Sequence, residues 1–187
     1  PDLDTWKTFL TKLKNPKNAV KIGLVGKYVE LKDSYKSIAE GLIHAGAQNE
    51  CSVEVDWIHS ENINEDNVAK CLSSLHGIIV APGFGERGVA GKLAAVKFAR
   101  ESNIPFFGIC LGMQLSVIEI ARNVFGNQDS NSTEFKPSKN PVVSLMTEWN
   151  NSNKIERRDL SSDKGGTMRL GSYPCKIIKG SNRAYLS

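Results

Sequence analysis

The stretch that most constrains this chain is Pro105-Phe106-Phe107-Gly108-Ile109-Cys110-Leu111-Gly112-Met113-Gln114. An apolar run with the length of a buried strand meets a cysteine with a glycine two positions before it and two after. An apolar pattern at helical spacing begins at once beyond it, through Leu115, Ile118 and Ala121. Gly-x-Cys-x-Gly between a strand and a helix is the thiol version of a nucleophile elbow. In that turn there is no room for a Cβ on either side, and the nucleophile is pushed out above the sheet. At a helix N-terminus the unpaired backbone N–H groups and the positive end of the helix dipole favour a thiolate. The N–H of Leu111, the next residue, is placed to help hold an oxyanion. A lone cysteine is ordinarily a small core residue, and it is the flanking glycines that argue otherwise here.

The rest of the chain supplies a scaffold for such an elbow. Leu3, Trp6, Leu10 and Leu13 recur at helical spacing up to Asn15-Pro16, so an amphipathic helix opens the sequence. Val20–Gly26 reads as a strand, followed by a helix from Asp33-Ser34 through Ile38, Leu42 and Ala45 to a stop at Gly46. Val53–Ile58 is a second strand, and Asn64 caps a helix carrying Val68, Leu72 and Leu75. Gly77–Ala81 is wholly apolar, as a central parallel strand should be, and opens into the glycine-rich turn Pro82–Gly88. A helix through Leu93, Val96 and Ala99 returns the chain to the elbow strand. The helix beyond the elbow, with Leu115, Ile118, Ile120, Ala121, Val124 and Phe125, is apolar nearly all round, the pattern of a helix packed on both sides.

Strands alternating with helices at this rhythm imply an α/β fold: a doubly wound, mostly parallel sheet with helices on both faces in three layers, flavodoxin-like or Rossmann-like, with right-handed crossovers. Sites in such sheets lie off the carboxyl ends of the strands, so Pro82–Gly88 and Cys110–Gly112 are expected to meet there. The domain reading is a lead-in helix over 1–18 and one domain over 19–187. With 187 residues, 40% of them hydrophobic, the chain can bury one good core and is short for two.

Composition removes several function classes. A formal charge of +4 comes from 24 basic and 20 acidic residues scattered along the chain, which suggests a solvated surface rather than a nucleic-acid face. No apolar run reaches the ~18–20 residues of a membrane span, and Pro1-Asp2-Leu3-Asp4 has no signal-peptide pattern, so a cytoplasmic protein is expected. Cys51, Cys71, Cys110 and Cys175 show neither C-x-x-C spacing nor adjoining histidine ligands, so no metal site and no disulfide framework is expected. Cys51 and Cys71 read as small buried hydrophobes. His44, His59 and His76 read as surface or packing residues, and nothing catalytic is assigned to Lys27-Tyr28.

From Gly126 the pattern weakens. Asn127 to Asn140 is polar, Pro141–Met146 is a candidate strand, and Thr147 to Lys164 holds too few large apolar residues for a core, so a mobile insertion is expected. Gly165–Gly171 ends it, and Cys175–Ile178 is a last β-like run.

Six motifs, in order from about residue 20 to 171, carry a resemblance. They are Gly26-Lys27-Tyr28-Val29-Glu30-Leu31, Asp33-Ser34-Tyr35-Lys36-Ser37, Gly83-Phe84-Gly85-x-Arg87-Gly88, Gly108–Gln114, Ser132-Thr133-Glu134-Phe135 and Gly166-Thr167-Met168-Arg169-Leu170-Gly171. Together they resemble the class I, triad-type glutamine amidotransferases, and among these the glutaminase domains of CTP synthases. The resemblance implies hydrolysis of L-glutamine and delivery of ammonia to a separate upstream synthase domain, where UTP activated by ATP is aminated to CTP. It implies no cofactor in this domain, with ATP, Mg and the activator GTP serving the full-length enzyme, and a homo-tetrameric assembly without nucleic-acid or membrane partners. By the same resemblance, Cys110 is the nucleophile and the backbone N–H groups of Gly83 and Leu111 form the oxyanion hole. Glutamine is held by Gly83, Phe84, Leu111, Gly112, Met113, Gln114 and Glu134, and Arg169 belongs to a lid. On the residues alone, Gly83 and Gly85 could be an ordinary turn, Gln114 a packed polar residue, Glu134 a solvated carboxylate and Arg169 simply exposed.

The sequence departs from the family in three places, one of them the 147–164 insertion, which is longer than the family leads one to expect. Ala81-Pro82-Gly83-Phe84-Gly85 stands where Pro-Gly-Gly-Phe-Gly is usual, with the glycine before phenylalanine kept. No histidine is followed by the Pro-Glu of the family's His-Pro-Glu motif. Beginning on proline without a methionine, the chain reads as a piece of a longer polypeptide that stops before the triad histidine and glutamate, and as such would be inactive alone. Another cysteine hydrolase of this fold, a γ-glutamyl peptidase or a DJ-1-like protein, and a non-catalytic remnant are the alternatives.

Overall fold

The structure, a computed structural model, describes residues 3–145, 148–151 and 154–157. Residues up to Leu145 form one compact unit, and a second begins at Met146. In the first unit, β1 (Asn18–Gly26), β2 (Cys51–His59), β3 (Gly77–Val80) and β4 (Phe106–Gly108) form a parallel sheet in the order β2-β1-β3-β4. The helices are α1 (Asp4–Lys14), α2 (Lys36–Gln48), α3 (Val68–Leu72), α4 (Val89–Glu101) and α5 (Leu111–Asn123). Among the described residues no helix is long and apolar enough to cross a membrane.

Alternation along the strands builds a core on each face of the sheet. Val25, Ile78 and Val80 point to one side and pack with Val68 and Leu72 of α3 and Ala95, Val96 and Ala99 of α4. Leu24 and Ile79 point to the other, against Ile38 and Leu42 of α2 and the ring of Tyr35. All four residues of β3 are buried, which is why this strand reads as a continuous apolar run. A third cluster joins Val89 of α4 to Leu111, Leu115 and Ile118 of α5. The three-layer parallel architecture expected from the alternating pattern is the one observed.

Several local expectations are corrected. Gly46 does not stop α2, which runs on to Gln48 and ends with Glu50 at φ 54°. A Cβ at Gly46 would lie 2.6 Å from the Cys51 carbonyl oxygen, so this glycine serves the close approach of α2 to β2. Cys51 and Cys71 are half-buried rather than core residues. Asn64 does accept, through Oδ1, the N–H groups of Asp66 and Asn67, but the helix it announces is short and Leu75 lies beyond it. Helix α5 is not buried on both sides among the described residues: Leu111, Leu115, Ile118 and Ala121 are covered, whereas Val117 and Ile120 are exposed, as are Val124 and Phe125, which lie beyond the helix end rather than in it. The polar stretch after it contains a buried strand, β5 (Ser130–Ser132), paired in parallel with β6 (Asn140–Val143). In the second unit, β7 (Glu148–Asn151) and β8 (Lys154–Arg157) form an antiparallel pair within the segment expected to be a mobile insertion. Arg169, the Gly165–Gly171 motif and the Cys175–Ile178 run lie outside the described residues.

Candidate active site

The elbow is built by close packing of backbone on backbone. β4 pairs with β3 through Val80 and Gly108, and the Ile109 N–H donates to the Val80 carbonyl at 3.0 Å. The chain then reverses into α5 at Cys110, whose φ of 53° and ψ of −108° are strained for any residue with a side chain. A Cβ at Gly112 would collide with the Val80 carbonyl oxygen, and one at Gly108 would lie 2.6 Å from the Gly112 carbonyl carbon and the Met113 nitrogen. The two glycines are therefore demanded by the contact between β4, α5 and β3. Cys110 itself is exposed, at the N-terminal end of α5.

The loop Ala81–Gly85 leaves β3, the strand beside the elbow, so both turns open on the same edge of the sheet. Order 2-1-3 reverses between β1 and β3, and the crevice at such a reversal is where this architecture binds ligands. Two lysines reach this loop from below. Lys92 of α4 is fully buried, with Nζ donating to the carbonyl oxygens of Ala81 at 2.8 Å and Pro82 at 3.3 Å. Lys27, at the end of β1 and also buried, donates its Nζ to the Phe84 carbonyl. Burial pushes the Lys92 ammonium down to about 8, helped by the like charge of Lys27 and opposed by attraction to Cys110.

Glu134 approaches the same loop from above. Its N–H donates to Ser132 Oγ at 3.1 Å, Phe135 anchors the turn in the cluster of Val89, Leu111 and Leu115, and its Oε1 accepts the Gly85 N–H at 2.7 Å. Thus Gly83, Phe84, Gly85, Cys110, Leu111 and Glu134, picked out from three separate motifs, converge. Phe84 and Met113 are exposed, and Gln114 is half-buried one turn into α5. Lys27 and Lys92 were missed. The first directly follows a strand at the carboxyl edge of the sheet. The second interrupts the buried stripe Val89, Val96, Ala99 of α4, where a lysine is out of place unless it has a task.

The three histidines have other partners. His44 packs edge-on against Phe9, His76 Nδ1 accepts the Lys21 N–H at 2.9 Å, and His59 Nδ1 accepts the Glu61 N–H at 3.2 Å. Among the described residues no cluster of His, Cys, Asp and Glu is arranged to hold a metal ion.

A family model for class-I glutamine amidotransferases matches residues 30–186, most of the chain and every residue of this site except Lys27. The chain belongs to that family. Within it, the chain is 60% identical over 182 residues to a CTP synthase of Cytophaga hutchinsonii and 59% identical over 178 residues to one of Flavobacterium johnsoniae. These alignments take in 97% and 95% of this chain but 32% of each relative, so the chain spans about a third of the length of the curated relatives it matches. A solved structure described as the glutaminase domain of Trypanosoma brucei CTPS with bound acivicin is also similar. It has a TM-score of 0.64 and 42% identity, covering 68% of this chain and 50% of that one.

Proposed function

We propose that this chain is the glutaminase portion of a CTP synthase, with Cys110 as its nucleophile. The observation that carries the reading is the exposed, conformationally strained Cys110 at a strand-to-helix turn, beside the Ala81–Gly85 loop, in a chain of the amidotransferase family. In this mechanism the Cys110 thiolate attacks the side-chain amide carbon of glutamine, and the carbonyl electron pair moves onto oxygen. The Gly83 and Leu111 N–H groups stabilise that oxyanion. Collapse restores the carbonyl and expels ammonia, which takes a proton from a general acid. Water then cleaves the γ-glutamyl thioester to glutamate and regenerates the thiol.

Glutamine binding draws on Gly83, Phe84, Leu111, Gly112, Met113, Gln114 and Glu134, with the Glu134 carboxylate accepting hydrogen bonds from the substrate's α-ammonium. The partners of His44, His59 and His76 support a proton shuttle supplied by a histidine and glutamate other than these. Arg169 would serve the lid over the site. Ammonia would pass to a synthase domain of the same polypeptide, in the cytoplasm and within a homo-tetramer. There ATP and Mg serve the amination of UTP and GTP activates; no residue of this chain is assigned to them. The test is Cys110→Ala in the full-length enzyme. Glutamine-dependent CTP formation is expected to vanish while formation from ammonium salts persists; glutamine-dependent turnover in that variant would overturn the reading.

A further inference from the structure

We infer that Lys92 is a positioning residue for the oxyanion hole and Lys27 for the Gly85–Glu134 contact beside it: from beneath the Ala81–Gly85 loop their ammonium groups hold its carbonyl oxygens and thereby aim the Gly83 and Gly85 N–H groups to the opposite side. The argument is stereochemical. No peptide here is cis, and in a trans peptide the C=O of one residue and the N–H of the next point in opposite directions. With the Pro82 carbonyl turned down onto Lys92 Nζ, the Gly83 N–H must point up, away from the lysine. With the Phe84 carbonyl turned down onto Lys27 Nζ, the Gly85 N–H must also point up, and it does, onto Glu134 Oε1 at 2.7 Å. The second Lys92 contact, to Ala81, precedes proline and so fixes the loop's exit from β3 without aiming any N–H.

The arrangement has a specific logic. Beyond Ala81, whose N–H still bonds the Val25 carbonyl of β1 at 2.9 Å, the loop leaves the sheet ladder, and Gly83, at φ 152°, has a backbone open to other conformations. A flexible donor would have to be reoriented as charge develops on the substrate oxygen. Charge-assisted bonds from buried ammonium groups remove that freedom before the reaction begins. Burying a lysine is unfavourable unless its charge is compensated, and among the described residues neither Lys27 nor Lys92 is paired with a carboxylate, so two such lysines under one five-residue loop point to a use other than stability. Gly83 adjoins both, since a Cβ there would lie 3.2 Å from Lys27 Cε and 3.7 Å from Lys92 Nζ.

The inference rests on the glutaminase reading above, and the experiment separates the two. Lys92→Met in the full-length enzyme keeps the length and bulk of the side chain and removes its donors. Expected is a fall in kcat for glutamine hydrolysis of about 100-fold, the scale of one lost oxyanion donor, with KM within about threefold of the parent. The affinity for L-glutamate γ-semialdehyde should fall by a similar factor. That aldehyde accepts the Cys110 sulfur at its carbonyl carbon and so places a tetrahedral oxygen in the hole. An unchanged kcat and unchanged aldehyde affinity in a folded variant would overturn the positioning role, as would a rise in KM alone. If Lys92→Met melts below the assay temperature, the same kcat, KM and aldehyde comparison with the parent is made below its melting temperature and decides. A parent enzyme that neither hydrolyses glutamine nor binds the aldehyde would instead overturn the glutaminase reading.

Discussion

Cys110 sits at φ 53° and ψ −108°, a conformation that glycine adopts freely and other residues do not. Such strain amounts to about 1–3 kcal/mol and persists because the surrounding packing enforces it. Cys110→Gly is therefore expected to abolish glutamine turnover and yet raise unfolding free energy by about 1 kcal/mol in a denaturant titration. Gly112→Ala should act in the opposite sense. Its methyl would meet the Val80 carbonyl, so a loss of about 3 kcal/mol is expected together with inactivity, measured in the same titration. Lys92 makes a pH prediction. Its pKa falls from 10.5 unfolded to about 8 folded, so between these values the unfolded chain binds more protons and stability rises with pH. Below about 8 burying the charge works against the fold, by about 3 kcal/mol relative to pH 10.5. Lys27 and Cys110 are the charged and titratable groups nearest it, and Lys92→Met should flatten this part of a stability–pH curve.

Between elements, the contact that fixes the elbow helix against its neighbour is ionic. Glu119 of α5, almost fully buried, receives Arg100 Nε at 3.1 and 3.0 Å, Arg100 Nη2 at 2.8 Å and Asn123 Nδ2 at 3.0 Å. Burial alone would raise the Glu119 carboxyl, but the hydrogen bonds from Arg100 and Asn123 outweigh it and hold the group below its usual value. Its contribution to stability is thus present above the unfolded carboxylate pKa and lost as pH falls through the lower folded one. Removing only the arginine strands a buried charge, so Arg100→Met is expected to lower stability by about 3 kcal/mol. The double variant Arg100→Met/Glu119→Leu should recover most of that, and thermal melts of the four proteins check the coupling. The same scale shows where sequence patterns carry and where they stop. Strands β1 to β4 announced themselves through continuous or alternating apolar runs. Ser130–Ser132 did not, because a buried strand of serine and asparagine depends on partners such as the Arg122 Nε bond to the Ser130 carbonyl, which no local pattern records. Gly46 misled for a related reason, since a glycine required by a neighbouring strand looks like one that ends a helix.

Across the whole molecule, the legible part of the site was its backbone. The two glycines that straddle Cys110 report close approach and those of the loop after β3 report positive φ, both of which leave a mark in sequence, and their meeting followed from sheet topology. The lysines beneath the loop were not legible as a pair, because Lys27 and Lys92 come together only when α4 packs on the face of the sheet across β1 and β3. What unites these features is a thiol exposed at the N-terminal end of α5, off the carboxyl edge of a parallel sheet and next to the strand whose loop is Ala81–Gly85, the geometry on which the glutaminase proposal rests. The most direct measurement is peptide mapping by mass spectrometry after the full-length enzyme has reacted with acivicin or 6-diazo-5-oxo-L-norleucine. A single adduct on Cys110, prevented by excess glutamine, is the predicted result; adducts on Cys51 or Cys71 with Cys110 unmodified would contradict it.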